Sequence, residues 1–274
     1  MKPWIMFTKH LEGWDLPQIM DGLQRAGVEG ADLCVRPGYP VTPENCRTAL
    51  PKAAKLFAEE GLCIPLVTTP GDFVSLDSPN VEDVFVACAE AGVKFIKLGY
   101  WYLEDNDYWV TLDRCRQRLE GFATLAEKTG VKALVHNHSG STMGLNSAAV
   151  MHILKGFDPK LVGVFTDVGH LSIVGEPYPL AFAMVKDYMC ALAFKDLVKV
   201  KVPSPDGTFN WGIDVWPLGM GLGNFPQVMQ LLKDMAFEGP ISFHCEYGKL
   251  PPESVVLQCK IDTTWMTEIV GKLG

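Results

Sequence analysis

The feature that most constrains this chain is a rhythm that runs along its whole length. Short apolar runs rich in Val, Ile and Phe alternate with longer amphipathic stretches. Eight runs read as strands, at residues 4–8, 30–35, 63–68, 95–99, 132–137, 162–167, 190–195 and 241–246. Near-continuous apolar runs of this length suit parallel strands buried on both faces. The intervening patterns predict helices at 16–26, 43–60, 81–91, 107–129, 225–236 and 254–273. Gly27, Gly61, Gly92 and Gly130 each stand just past a helical pattern and a few residues before a strand. Glycine in that place stops a helix and lets the chain turn back into a strand.

Strands interleaved with helices in this number predict an α/β chain folded as a (β/α)8 TIM barrel. One domain is expected over residues 1–274, with a C-terminal helix closing the barrel. The competing architecture is an open doubly wound sheet, which usually carries a Gly-rich phosphate fingerprint after its first strand. Here that position reads Thr8-Lys9-His10-Leu11-Glu12. Residues 198–224, rich in Pro and Gly, read as the longest irregular stretch.

Composition narrows the function. Lys+Arg is 24 against 32 Asp+Glu, a formal net charge of −8. That argues against nucleic acid, which selects a basic footprint, and against an anionic membrane surface. No run reaches the roughly 18 apolar residues of a membrane span, and residues 1–15 lack a signal-peptide pattern. The eight cysteines form no CxxC pair, and several sit inside apolar runs. The expectation is a reduced, cytoplasmic protein.

In a (β/α)8 barrel, chemistry sits at the C-terminal ends of the strands. Five of the six histidines lie at or near such ends: His10, His136, His138, His170 and His244. His152 falls in a helical pattern and reads as structural. Alternation puts His136 and His138 on one face of the fifth strand, and His244 and Glu246 on one face of the eighth. The sixth strand ends in Asp167, followed by Gly169 and His170; the seventh ends in Lys195-Asp196. The second offers Asp32 and Arg36, and the fourth Lys97, Tyr100 and Trp101. Any single strand-end histidine reads most simply as a hydrogen-bonded core residue. Several ionisable groups buried together are costly unless they pair or bind something.

Five segments carry a resemblance: HNHSG at 136–140, TDVGH at 166–170, FKDL at 194–197, PLGMGLGNF at 217–225 and GPISFHCEY at 239–247. In this order the sequence resembles the xylose-isomerase-like TIM barrels, the superfamily of sugar-phosphate isomerases and epimerases that includes endonuclease IV. The resemblance implies one divalent metal (Mn, Zn, Mg, Fe or Co) held by Glu, Asp, His and Glu from the last four strands. Asp167 and Glu246 match that set. His136 replaces the first Glu, and Ala193 replaces the His of a His-x-Lys-Asp motif. Two readings follow: His136, Asp167 and Glu246 hold a metal, or the Lys195 ammonium takes its place. His170 matches a residue that in relatives binds a substrate hydroxyl. The multi-zinc DNA-repair branch is set aside, for want of its ligands and a basic surface.

The implied activity is proton abstraction next to a carbonyl of a sugar or polyol, that of an isomerase or epimerase. Glu246, Lys195 and His138 are the catalytic candidates. His170, His244, Arg36, Tyr100 and Trp101, with Trp14 beside them, are the candidates for holding substrate. A lyase or dehydratase on a keto-sugar or cyclitol is the nearest alternative. A non-catalytic sugar-binding barrel is the second. Gly219, Gly221 and Gly223 read as a tight turn in preference to a phosphate cradle, so an unphosphorylated carbohydrate is expected. A homodimer or homotetramer is the expected assembly.

Overall fold

The computed structural model describes residues 3–248 and 250–273. Eight strands of these residues close a barrel: β1 (Trp4–Phe7), β2 (Gly30–Cys34), β3 (Cys63–Thr68), β4 (Phe95–Lys97), β5 (Lys132–His136), β6 (Val162–Asp167), β7 (Met189–Phe194) and a last strand, β10 (Ile241–Phe243). Every neighbouring pair is parallel, and β10 pairs with β1 to complete the ring. The barrel fold is as the sequence predicts. Two strands end two or more residues earlier than expected, β4 at Lys97 and β10 at Phe243, and Thr8 begins a short 3-10 helix, Thr8–Leu11.

Helices surround the barrel: α1 (Leu16–Ala26), α2 (Cys46–Glu59), α3 (Val81–Ala91), α4 (Tyr108–Thr129), α5 (Ser147–Leu154), α6 (Val168–Val174), α7 (Tyr178–Val185), α8 (Phe225–Asp234) and α9 (Pro252–Lys272). Asp15 caps α1 by accepting from the Gln18 N–H, while the Gln18 side chain accepts from the Asp15 N–H. Such a reciprocal pair satisfies two otherwise orphaned donors. Gly27, Gly61, Gly92 and Gly130 have φ of +74°, +71°, +73° and +72°, the left-handed turn expected of them. The last helix, α9, packs between α8 and α1 and closes the outer ring. No helix of the described residues is long and apolar enough to cross a membrane.

Residues 198–224 depart from expectation. Asp196–Pro203 (β8) and Phe209–Trp216 (β9) form an antiparallel hairpin outside the barrel. Its physical cause is the period-two alternation of Val198-Lys199-Val200-Lys201-Val202, joined to Phe209 by a turn containing Asp206-Gly207. Pro203, Pro205 and Gly207 mark the hairpin turn, and Pro217, Gly219, Gly221 and Gly223 the segment that follows it. The chain is irregular in the hairpin turn, residues 204–208, and from Pro217 to Asn224.

That irregular segment explains its own glycines. The Gly219, Gly221 and Gly223 N–H groups donate to the Asp196 carboxylate at 2.9, 2.8 and 2.8 Å. An internal carboxylate fills the cradle that a phosphate would need, and the reading as a turn holds. Hydrogen bonds to a charged group contribute about 1.5–3 kcal/mol each, and not additively. Asp196→Ala is expected to destabilise the fold by about 3 kcal/mol, read as a lower denaturant midpoint, because three amides lose their acceptor.

Candidate active site

The site follows from a two-residue step repeated around the barrel. Ile5, Leu66, Leu134, Phe165, Ala191 and Ala193 form an apolar plug inside it. Two residues further along β3, β4, β5, β6 and β7 stand Thr68, Lys97, His136, Asp167 and Lys195. Side chains two apart share a face, so this second row also faces the axis and makes a polar floor. Asp32, from β2, lies in that floor and accepts from the Thr68 hydroxyl (2.5 Å) and the Ser242 hydroxyl (3.1 Å). Above it opens a cavity of about 150 Å³, whose wall includes Phe7, Lys9, Arg36, Thr68, Gly71 and Lys97. Tyr100, His136, His138, Lys195, His244 and Glu246 complete the lining.

Asp167 is the hub of the floor. Its Oδ2 lies 3.3 Å from His136 Nε2, 3.7 Å from His244 Nδ1, and 3.9 Å from both His170 Nε2 and Lys195 Nζ. Its Oδ1 accepts from the His170 N–H at 3.0 Å and so caps α6. Asn137 clamps the strand end beside it, accepting from the Asp167 N–H and donating to the Asp167 carbonyl. Gly169 is required for this closeness, since a Cβ there would fall 2.5 Å from the Lys195 carbonyl oxygen. These contacts account for Asp167, Gly169 and His170 of the TDVGH segment.

Lys195 Nζ pairs with Glu246 and faces Asp167, and Lys9 pairs with the other oxygen of Glu246. Burial opposes the Lys195 charge, but Glu246 and Asp167 outweigh it and hold its pKa above that of a free lysine. Burial likewise opposes the Glu246 charge, yet Lys195, His244 and Lys9 hold its carboxyl well below the usual range. Asp167 is also lowered, because His170, Lys195 and His244 overcome burial. The ammonium and both carboxylates are therefore ionised together.

The imidazoles behave in the opposite way. Burial is the largest effect on His136, His138 and His170, and it pushes all three below the ordinary histidine value. His136 is spoken for at both nitrogens: Nε2–H faces the Asp167 carboxylate, and Nδ1 accepts from the Tyr100 hydroxyl at 3.0 Å. Burial raises the Tyr100 phenol, so it remains a donor. His138 differs. Its Nδ1–H donates to the Ser139 carbonyl at 2.9 Å, which fixes the tautomer and leaves the lone pair on Nε2. His170 stands behind it, ring centroids 3.9 Å apart, with Nδ1 bonded to Ser139 Oγ at 2.8 Å. The Nε2 atoms of His10, His170 and His244 are buried without a hydrogen-bond partner.

The expected residues separate into three groups. Glu246, Lys195, His138, His136, His244, Arg36 and Tyr100 line the cavity, and Asp167 and His170 lie directly behind that wall. Trp101 is a correction: it is 4% exposed and its indole N–H donates to the Val74 carbonyl at 2.9 Å. The strand has ended at Lys97, so alternation no longer governs, and Tyr100 takes the cavity while Trp101 turns into the core. Trp14 packs over Gly22 on α1 and also lies off the cavity. His152 bonds the Tyr108 hydroxyl on an exposed helix face, as a structural histidine would. Lys9 and Lys97 join the wall without a role assigned from sequence. A charged residue at the end of an apolar strand was the signal for both.

The divalent metal implied by the resemblance does not fit this donor set. Ala193 supplies a methyl group where a ligand would stand. Both nitrogens of His136 are committed, and an ammonium already sits between Glu246 and Asp167. Among the described residues no three His, Cys, Asp or Glu side chains converge as a metal site. The expected trio of His136, Asp167 and Glu246 is therefore not assembled around a common point.

Depressed histidines have a consequence for stability. Each is neutral when folded but takes up a proton when unfolded below about pH 6.5. The unfolded state then binds more protons, so stability falls as pH drops from 6.5 toward the folded values. The expected slope is about 1.4 kcal/mol per pH unit for each such histidine. Urea midpoints between pH 7 and 5 will show it, and His136→Phe is expected to flatten the slope.

Residues 20–260 match the family of xylose isomerase-like TIM barrels. An uncharacterized protein of Methanocaldococcus jannaschii is 27% identical over 135 residues, 48% of this chain and 42% of that protein. The match thus spans less than half of that relative. D-psicose 3-epimerase from Clostridium cellulolyticum H10, solved with D-tagatose, superposes with a TM-score of 0.74 at 12% identity, covering 98% of this chain and 99% of that one. The IolI protein with a bound zinc atom gives 0.75 at 17% identity, covering 98% of each chain. The probable 3-DHS dehydratase AsbF of Bacillus anthracis gives 0.71 at 15% identity, covering 96% of this chain and 99% of that one. At these identities the structures establish the shared barrel. With the match running over most of its length, the chain belongs to the xylose isomerase-like TIM barrel family.

Proposed function

We propose that this protein is an enzyme of the isomerase or epimerase type that removes a proton next to the carbonyl of a small, unphosphorylated sugar or polyol. One observation carries the reading: a neutral imidazole with a free Nε2, His138, shares a small cavity with a charged, buried ammonium, Lys195. A base near one carbon and a cation near the adjacent oxygen are what enolisation needs. His138 takes the proton through Nε2, and Lys195 stabilises the oxygen on which negative charge develops. Glu246 is a weak base here, because its proton affinity is held far below working pH. Its task is to hold Lys195 charged and in place.

The remaining groups suit a hydroxylated substrate. His244 lines the cavity and offers its ring edge to a sugar hydroxyl, while His170 supports His138 from behind. Tyr100 and Arg36 line the same wall. The filled glycine cradle favours an unphosphorylated substrate. The D-psicose 3-epimerase and the probable dehydratase on the same fold are in keeping with a small-molecule substrate of this type.

The test is deuterium uptake from D2O into D-psicose and D-tagatose, followed by NMR. Wild-type protein is expected to exchange a proton next to the carbonyl. His138→Gln is expected to lower the rate by about 10²–10⁴-fold. Lys195→Met is expected to lower it by about 10²–10³-fold, with or without a chelator present. Absence of exchange in these and other free ketohexoses would sink the reading. Complete loss of exchange on chelation would replace Lys195 with a metal.

A further inference from the structure

Lys97 lines the cavity, and the proposed proton transfer leaves it unused. It is 2% exposed, it ends the apolar segment Phe95-Ile96-Lys97, and its Nζ is buried with no hydrogen-bond partner. The nitrogen lies over the Tyr100 ring, 3.8 Å from its centre, and the Lys97 side chain lines the same cavity as Lys195 and His138. A lysine kept for packing alone would place its ammonium in water or against a carboxylate. Lys97 does neither, although carboxylates are near.

Charge balance explains why. Asp32, Asp167 and Glu246 supply three carboxylates to this end of the barrel. Arg36, Lys9 and Lys195 supply three cations. A fourth cation would be uncompensated in a buried place. Burial is the largest effect on Lys97, followed by Arg36, with Lys195 acting in the same sense. They outweigh Asp32 and Glu246 and push its pKa well below that of a free lysine. A neutral amine has a free electron pair, and desolvation is a known way to make a lysine nucleophilic.

We propose that Lys97 is a nucleophile that forms an imine with the carbonyl carbon of the substrate. This deepens the proposed function and rests on it. The Nζ electron pair attacks the carbonyl carbon, the C–N bond forms, and the carbonyl π pair moves to oxygen. A proton passes from nitrogen to that oxygen and gives the carbinolamine. The Lys195 ammonium donates a second proton to the hydroxyl, the C–O bond breaks, and water leaves as the nitrogen pair closes the C=N bond. The product is a protonated imine and a neutral Lys195. His138 Nε2 then removes the proton on the neighbouring carbon, and the C–H electrons move into the imine to give a neutral enamine. Reprotonation at carbon and attack by water reverse the sequence, returning the amine to Lys97 and the proton to Lys195. No oxidant, reductant or further reactant is consumed.

The experiment is reductive trapping. Full-length protein is incubated with dihydroxyacetone, D-psicose or D-tagatose and sodium borohydride, then analysed by intact mass and peptide mapping. The expected result is one reduced adduct per chain, located on Lys97 and absent in Lys97→Met and Lys97→Arg. Lys97→Met is expected to fold with an unchanged or higher denaturant midpoint, since it replaces an unpartnered buried amine with an apolar chain of similar shape. Adducts confined to surface lysines such as Lys55, or an adduct on Lys195, overturn the assignment. Deuterium exchange that persists in Lys97→Met overturns it too, while leaving the proposed function standing. An adduct on Lys97 without deuterium exchange supports the imine and removes the proton-transfer reading. Neither adduct nor exchange overturns both.

Discussion

The site depends on one ammonium held between two carboxylates. Lys195 faces both Glu246 and Asp167, and each partner keeps the others ionised against the pull of burial. Removing one partner of such a group leaves a buried charge unpaired, which is strongly destabilising. The arrangement therefore locks the ends of β6, β7 and the last strand into one geometry. It also gives the resting site a positive charge where the polar floor meets the cavity. A cation held in that way is a preorganised partner for an oxygen that gains negative charge.

The same burial acts differently on neighbouring groups, and that difference organises the chemistry. Lys195 has two carboxylates within reach and keeps its proton. Lys97, with Arg36 and Lys195 acting against its charge, is pushed the other way. Two lysines on one floor thus have proton affinities driven in opposite directions. The histidines divide on hydrogen bonding instead. His136 is fixed between Tyr100 and Asp167, while His138 spends only Nδ1 on the backbone and keeps Nε2 for a ligand. Groups whose environments drive their proton affinities apart are the usual mark of an acid–base site.

The barrel was legible because each buried strand is a short apolar run and four helices end at a left-handed glycine. The hairpin of β8 and β9 was masked by proline and glycine, although the alternation Val198-Lys199-Val200-Lys201-Val202 was present. Strand ends also revealed most of the site, since a charged or imidazole group in an apolar run stands out. Trp101 was misplaced because alternation holds only while the strand continues, and β4 stops at Lys97. Lys9 was overlooked because its partner Glu246 is far away in the chain.

By itself the sequence determined the fold and the row of ionisable strand ends. These follow from local pattern: period, composition and residue type at a position. Only the tertiary structure decided what those groups do to one another. It put the Lys195 ammonium between Asp167 and Glu246, turned the Asp196 carboxylate into the glycine cradle, and left the Lys97 nitrogen over the Tyr100 ring without a hydrogen-bond partner. Protonation and pairing depend on distances of a few ångströms between strands far apart in sequence. Those distances exist only once the barrel has closed.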